Sequence, residues 1–180
     1  DMLYANYYDG YVAEKVVDPT EVHVTLQPLV FTYKVRYEFK AGLQYVSMAR
    51  GSLSGMAASV LLVSGETSED AATLLYDCEM TDFGARALVN SFGVPAFPHP
   101  NYPTREGGKN ILVLEVLLRN NTRHTFELDV TDQVKKQPHG GVIVFKDIEI
   151  TEEEGKQGSG GFEVSVDGWE DYVEIELPLM

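Results

Sequence analysis

The chain has 180 residues, 44% of them hydrophobic, with 28 acidic against 14 basic side chains and a formal net charge of −14. That length suits one domain of ordinary size, and so anionic a surface repels nucleic-acid phosphates and anionic membrane faces alike, so neither is an expected partner. The single cysteine, Cys78, excludes an internal disulfide, and no apolar run of about 18 residues is present to span a membrane.

Residues 1–19 read as an approach segment to the domain, with Tyr4, Tyr7, Tyr8 and Tyr11 around an Asp9-Gly10 turn. Tyrosine offers a flat apolar ring and a polar tip. The cluster therefore has two readings: rings packed along the edge of a fold, or stacking faces for a sugar.

Residues 20–180 are expected to form one all-β domain. From Phe31 the chain alternates strictly. Phe31, Tyr33, Val35, Tyr37 and Phe39 point one way; Thr32, Lys34, Arg36 and Glu38 point the other. Period two marks a strand with one buried face and one wet face. Val22, Val24 and Leu26 alternate in the same way just before it. Pro28 between the two runs cannot donate a ladder hydrogen bond, which predicts a bulge or a change of sheet there.

Residues 43–49 are the next predicted strand. The small-residue stretch 51–59, with Gly51 and Gly55, predicts a tight crossing or one helical turn packed close to other backbone. Residues 60–63 resume an apolar run. Residues 67–71 carry the signals of a helix cap, yet residues 73–80 read better as a strand, as do 86–92. Pro95, Pro98, Pro100 and Pro103 make 93–109 a long loop, a place where function often sits. Phe97 and Tyr102 on that loop are further candidate stacking faces.

Residues 111–118 are nearly all apolar and predict a central strand. Asn120-Asn121 predicts a hairpin turn, because Asn tolerates the left-handed conformation. Phe126, Leu128 and Val130 then alternate with Thr125, Glu127 and Asp129 on the returning strand. Residues 142–150 are a further strand, and Glu152-Glu153-Glu154 a solvated turn. Phe162, Val164 and Val166, and then Val173, Ile175, Leu177 and Leu179, alternate again on either side of Asp167-Gly168. The total is about 7–9 mostly antiparallel strands with a turn every ten residues or so, the spacing of a β-sandwich.

No catalytic constellation appears. His23, His99, His124 and His139 have no partner at metal-ligand spacing, and both His23 and His124 are placed on outward strand positions. No glycine-rich loop opens a helix to cradle a phosphate. Asp77, Glu79, Asp129 and Asp132 are carboxylates that nothing pairs. Cys78 lies between two acids, which disfavours a reactive thiolate and favours a buried structural role. The expectation is a protein that is not an enzyme, with no cofactor and no metal.

Four stretches in order carry a resemblance: LSGMA at 53–57, FELDVTDQV at 126–134, GGVIV at 140–144 and FEVSVDGW at 162–169. Together they resemble the fimbrillin-like surface lipoproteins of Gram-negative gut anaerobes, a family largely without assigned function. The resemblance implies a transthyretin-like, Greek-key β-sandwich. It implies a lipoprotein exported to the outer membrane and linked to pili or adhesion. It also implies two stacked sandwiches behind a lipid-bearing cysteine, so this chain would match the second, with any anchor upstream.

Two functions follow as expectations. One is a structural or adhesive pilus-type subunit, whose partners are other subunits or host and bacterial surface ligands. The other is a glycan-binding surface module using Tyr4, Tyr7, Tyr8, Tyr11, Phe97 or Tyr102. The strand bearing Val173, Ile175, Leu177 and Leu179 is a candidate donor or closing strand, expected to pair within its own sandwich and leave the chain a monomer.

Overall fold

The computed structural model describes residues 2–13, 15, 21–95 and 108–156. Phe97, Tyr102, Trp169 and the alternating runs at 162–166 and 173–179 lie outside the described residues.

Strand β1 (Tyr4–Ala5) pairs antiparallel with β2 (Gln27–Pro28) in a two-stranded ribbon. The chain then crosses to another sheet through buried Leu29 and Val30, so it changes sheets beside Pro28 as the sequence predicts. Strand β3 (Phe31–Ala41) keeps the predicted parity: Tyr33, Val35 and Tyr37 are fully buried, while Lys34 and Arg36 face solvent.

After a short 3-10 turn at Leu43–Tyr45 comes β4 (Val46–Ala57). Strands β5 (Ala71–Asp77), β6 (Glu79–Thr81), β7 (Gly84–Ser91), β8 (Ile111–Leu118) and β9 (Arg123–Asp129) follow. A six-residue helix α1 (Thr131–Lys136), β10 (Gly141–Glu149) and a short helix α2 (Glu152–Lys156) complete the order.

Among the described residues the long strands form two four-stranded sheets, ordered β10-β3-β7-β6 and β5-β4-β8-β9. They pack face to face as a sandwich. Tyr33, Val35, Tyr37, Ala85, Val89, Ile143 and Ile148 of the first sheet meet Leu53, Met56, Leu112, Leu114, Val116 and Leu118 of the second in one core. The Phe39 and Phe126 rings meet edge to face across it, with centroids 6.5 Å apart. All pairings are antiparallel except β10 with β3. A parallel pair needs a long crossover, and here the chain builds the whole second sheet between its two members.

One flank of the sandwich is closed by a strand that changes sheets. β5 belongs to the second sheet and β6 to the first, and only Cys78 separates them. The Cys78 N–H donates to Ala49 O at 3.1 Å at this corner.

Several expectations are corrected. Residues 21–26 form no strand, and Val22, Val24 and Leu26 are exposed, because no sheet among the described residues receives their alternate face. Residues 51–57 are the second half of β4, not a crossing or a helical turn. Their small side chains let β4 run beneath large neighbours: a Cβ on Gly51 would strike the Tyr76 ring. Residues 60–63 are not core; Leu61, Leu62 and Val63 stand exposed in a turn pinned by a Val60–Thr67 bridge.

His124 points inward with Phe126 and Leu128, not outward, because it shares their parity on β9. Helix α1 is absent from the sequence expectation. Glu152–Glu154 is the first turn of α2 rather than an open turn: Thr151 Oγ1 accepts from Glu154 N–H at 3.3 Å while Glu154 Oε2 accepts from Thr151 N–H at 2.7 Å. That reciprocal pair is a capping box.

Candidate functional site

The amino-terminal ribbon gathers the predicted tyrosines. β1 and β2 pair Tyr4 with Pro28 and Ala5 with Gln27, and Leu29 N–H donates to Leu3 O at 2.8 Å. Beyond β1 the two segments are held by side chains. Asn6 Nδ2 donates to Thr25 O at 2.5 Å and lies 3.4 Å from Tyr8 Oη, and Asn6 Oδ1 accepts from Tyr7 N–H at 2.7 Å. Tyr8 Oη donates to His23 O at 3.3 Å. Asn6 and Tyr8 therefore clip residues 2–13 onto residues 21–26 where no ladder does.

The rings themselves stay out of the core. Tyr4, Tyr7, Tyr8 and Tyr11 are 50, 52, 49 and 60% exposed. Val22, Val24 and Leu26, on the segment they are clipped to, are also exposed. Gly10 supplies the turn between Tyr8 and Tyr11 with φ +67°, a conformation most side chains avoid. The arrangement is an aromatic and aliphatic surface carrying phenol hydroxyls and the Asn6 amide. Such a surface can stack on an apolar ring face and accept or donate hydrogen bonds at its rim.

Where the ribbon meets the sandwich there is a cleft of about 390 Å³ lined by Pro28, Leu29, Phe31, Thr67, Val94 and His139. The His139 and Phe31 rings lie tilted against each other at 44°, with centroids 4.8 Å apart. Thr67 Oγ1 donates to Val94 O at 2.9 Å, tying the turn after β4 to the loop after β7.

The outer sheet faces are wet, with isolated apolar residues. On the first sheet Lys34 sits in register between Leu88 and Val142, and the Arg36 guanidinium lies 4.4 Å above the Phe83 ring. Arg86 grips Glu79 with two nitrogens at 2.9 Å, which holds that carboxyl below its usual range. On the second sheet Arg50 pairs with Asp77 at 3.1 Å.

Three of the four carboxylates considered from sequence are occupied separately: Asp77 by Arg50, Glu79 by Arg86, and Asp129 by Thr131 Oγ1 at 2.5 Å and Thr131 N–H at 3.0 Å. Among the described residues no group of three or more His, Cys, Asp or Glu is placed to hold a metal ion. His23 is exposed near Glu21, whereas His124 Nδ1 lies 3.6 Å from Glu154 Oε1, a contact the sequence did not suggest. Cys78 packs against the core, and burial, then the Asp77 carboxylate, push its thiol up to about 12. No described helix is long and apolar enough to cross a membrane.

Residues 1–77 match the model of a family described as a domain of unknown function, DUF5119. The matched span takes in the ribbon and runs to the end of β5. Among solved structures, the fold is similar to that of a candidate adhesin from Bacteroides ovatus, with a TM-score of 0.63 at 23% identity. The likeness covers 84% of this chain and 58% of that one, so this chain spans little more than half of its structural neighbour. No curated protein matches.

Proposed function

We propose that this chain is an adhesive or structural domain of a cell-surface protein, of the kind that serves as a pilus subunit or a pilus-associated lipoprotein at the outer membrane. The observation that carries the reading is the amino-terminal ribbon: four half-exposed tyrosines beside exposed Val22, Val24 and Leu26, on a segment clipped together by side chains. A surface this rich in aromatic and aliphatic groups marks a site of contact with another molecule. The fold likeness to a candidate adhesin supports the same direction. The separate occupation of Asp77, Glu79 and Asp129 supports a role in binding rather than catalysis.

The exposed tyrosines favour a second reading of the same surface, as a module that binds glycans. Rings of this exposure stack on the apolar faces of sugars while Asn6 and the phenol hydroxyls meet their hydroxyl groups.

Both readings are tested with the domain coupled to beads. Adhesion is measured to mucin-coated and to bare bacterial or epithelial surfaces, beside a glycan array. Combined replacement of Tyr4, Tyr7, Tyr8 and Tyr11 by Ala is expected to reduce adhesion at least about tenfold, the scale of losing one well-buried aromatic anchor. Glycan-array binding that disappears with the tyrosines supports the second reading. Adhesion unchanged by all four substitutions removes the ribbon from the argument. Surface labelling and pilus fractionation of the full gene product test the placement at the outer membrane.

A further inference from the structure

The two strands on the flank opposite Cys78 are finished differently. β10 is the outer strand of one sheet and β9 of the other. Along β10, α1 supplies a substitute for a neighbouring strand. Gln133 Nε2 donates to Val144 O at 3.1 Å while its Oε1 accepts from Val144 N–H at 2.9 Å. Gln137 does the same to Val142, at 3.0 and 2.8 Å.

Among the described residues β9 has no such cover. At the two ends of the β8–β9 ladder Leu118 N–H donates to Thr122 O and Val130 N–H to Asn110 O, both at 2.8 Å. Even-numbered residues of β9 therefore turn their peptide groups to β8, and Arg123, Thr125 and Glu127 turn theirs to the flank. These three residues are exposed, and among the described residues their peptide groups bond to nothing. Arg123 and Glu127 also have no ion-pair partner among the described residues.

We propose that the β9 edge is a homodimer interface, at which a second copy adds its own β9 antiparallel about a two-fold axis through Thr125. The sequence of the edge is complementary to itself in that register. Thr125 faces Thr125 of the copy, Arg123 faces Glu127, and Glu127 faces Arg123. Each facing pair exchanges two N–H···O bonds, about six in all. Opposite charges and paired threonines are the cross-strand neighbours that stabilise an antiparallel ladder. On the inner side, His124 and Phe126 of the two copies meet, and both are only part-buried without a neighbour. A slip by two residues would offer Arg123 to Asp129 instead, but Asp129 is already held by Thr131 and lies 3.8 Å from Lys109. An isologous contact of this kind closes on itself and does not propagate. An open strand edge otherwise invites unspecific pairing. The inference is independent of the tyrosine surface.

Sedimentation velocity of the full 180-residue chain tests it, in about 0.15 M salt, where the net negative charge is screened beyond roughly 8 Å. We expect a concentration-dependent monomer–dimer equilibrium. Arg123→Glu alone and Glu127→Arg alone each set like charges opposite one another twice, and each should weaken the dimer at least about tenfold. The double substitution R123E/E127R restores both pairs and should restore the dimer. An equimolar mixture of the two single variants should form a heterodimer, although neither self-associates. Circular dichroism of each variant confirms that the sandwich is folded. A wild-type chain that stays monomeric at all concentrations, single variants that dimerise like the parent, or a double variant that does not recover would each overturn the proposal.

Discussion

Tyr37 of β3 and Tyr76 of β5 meet hydroxyl to hydroxyl at 2.8 Å, one from each sheet of the sandwich. Tyr37 Oη also donates to Val113 O at 3.1 Å, so three strands are tied at one point inside the core. Gly51 lies beneath this contact, and only a residue without a Cβ leaves room for the Tyr76 ring. Tyr37→Phe removes the hydroxyl and leaves Tyr76 Oη without its partner in a largely dry setting, while Val113 O loses one of its donors. We expect a loss of about 1–3 kcal/mol, the cost of unsatisfied buried polar groups. Urea unfolding of the two proteins measures it, with an unchanged slope showing that the fold is the same. A loss near zero would mean that water reaches the pair.

The same corner sets an alkaline limit. Burial raises the Tyr37 and Tyr76 phenols above their ordinary range, and burial followed by the Asp77 charge pushes the Cys78 thiol up to about 12. Each folded value lies above its unfolded one, roughly 8.5 for a thiol and 10 for a phenol. The neutral groups thus contribute stability that is fully present below the unfolded values and lost as pH rises toward the folded ones. We expect the urea midpoint to hold near pH 8 and to fall steadily above about pH 9. Cys78→Ala should make that fall shallower. A disulfide reagent at pH 8 should label Cys78 only as fast as the corner opens; complete labelling of the native protein within seconds would contradict this account.

Much of the sandwich is legible in the sequence, where burial is one-sided and local. The parity of Phe31 to Phe39 is visible because one face of β3 is core and the other is water. The turn at Asn120-Asn121 is visible because Asn121 must take φ +65°. What was not legible depends on partners far along the chain. Gly51–Ala57 looks like a crossing until Tyr76 and Asn110 are known to lie against it. Val22, Val24 and Leu26 have the alternation of a strand but no sheet beside them among the described residues, and alternation alone cannot report a missing neighbour. Helix α1 buries a single side chain, Val134, and its two glutamines are spent on the edge of β10, so no helical periodicity announces it. The tyrosines of the ribbon were visible as a cluster, but the clips from Asn6 to Thr25 and Tyr8 to His23 span 19 and 15 residues.

Asn110 is a buried amide that holds the bulge in β4. It is 3% exposed, and its Nδ2 donates to Gly55 O at 2.9 Å and Ser54 O at 3.2 Å. Gly55 has φ +74°, at the register shift between Leu53 and Met56. Asn110→Ala leaves both carbonyls unpaired and should cost about 1–3 kcal/mol. Asn110→Asp should cost more at pH 7, because a carboxylate then faces two carbonyl oxygens. Protonation returns one donor, so its folded value is raised above the unfolded one, and the deficit should shrink as pH falls from that raised value to about 4, below which it stays constant. Unfolding curves at pH 7 and in mild acid decide this; an Asp variant equally destabilised at both would show that the amide acts by shape alone.

The glutamines of α1 protect an edge, and this gives the last prediction. Val142 and Val144 send their peptide groups away from β3, and without Gln133 and Gln137 those groups would form an unpaired strand edge next to exposed Val142. In the double variant Gln133→Ala/Gln137→Ala the freed groups gain water, so stability should fall by only about 1–2 kcal/mol, the net worth of a few part-exposed hydrogen bonds. The larger change should be in association, since an uncovered edge is a template for another chain. We expect light scattering on gentle warming to show β-rich aggregates well below the unfolding midpoint, where the parent chain stays clear. Adding Val144→Pro removes one outward donor while leaving the pairing of its neighbours Ile143 and Phe145 with β3 in place, and it should suppress the aggregation. A double variant that loses stability yet remains clear would reduce Gln133 and Gln137 to ordinary tethers between α1 and β10.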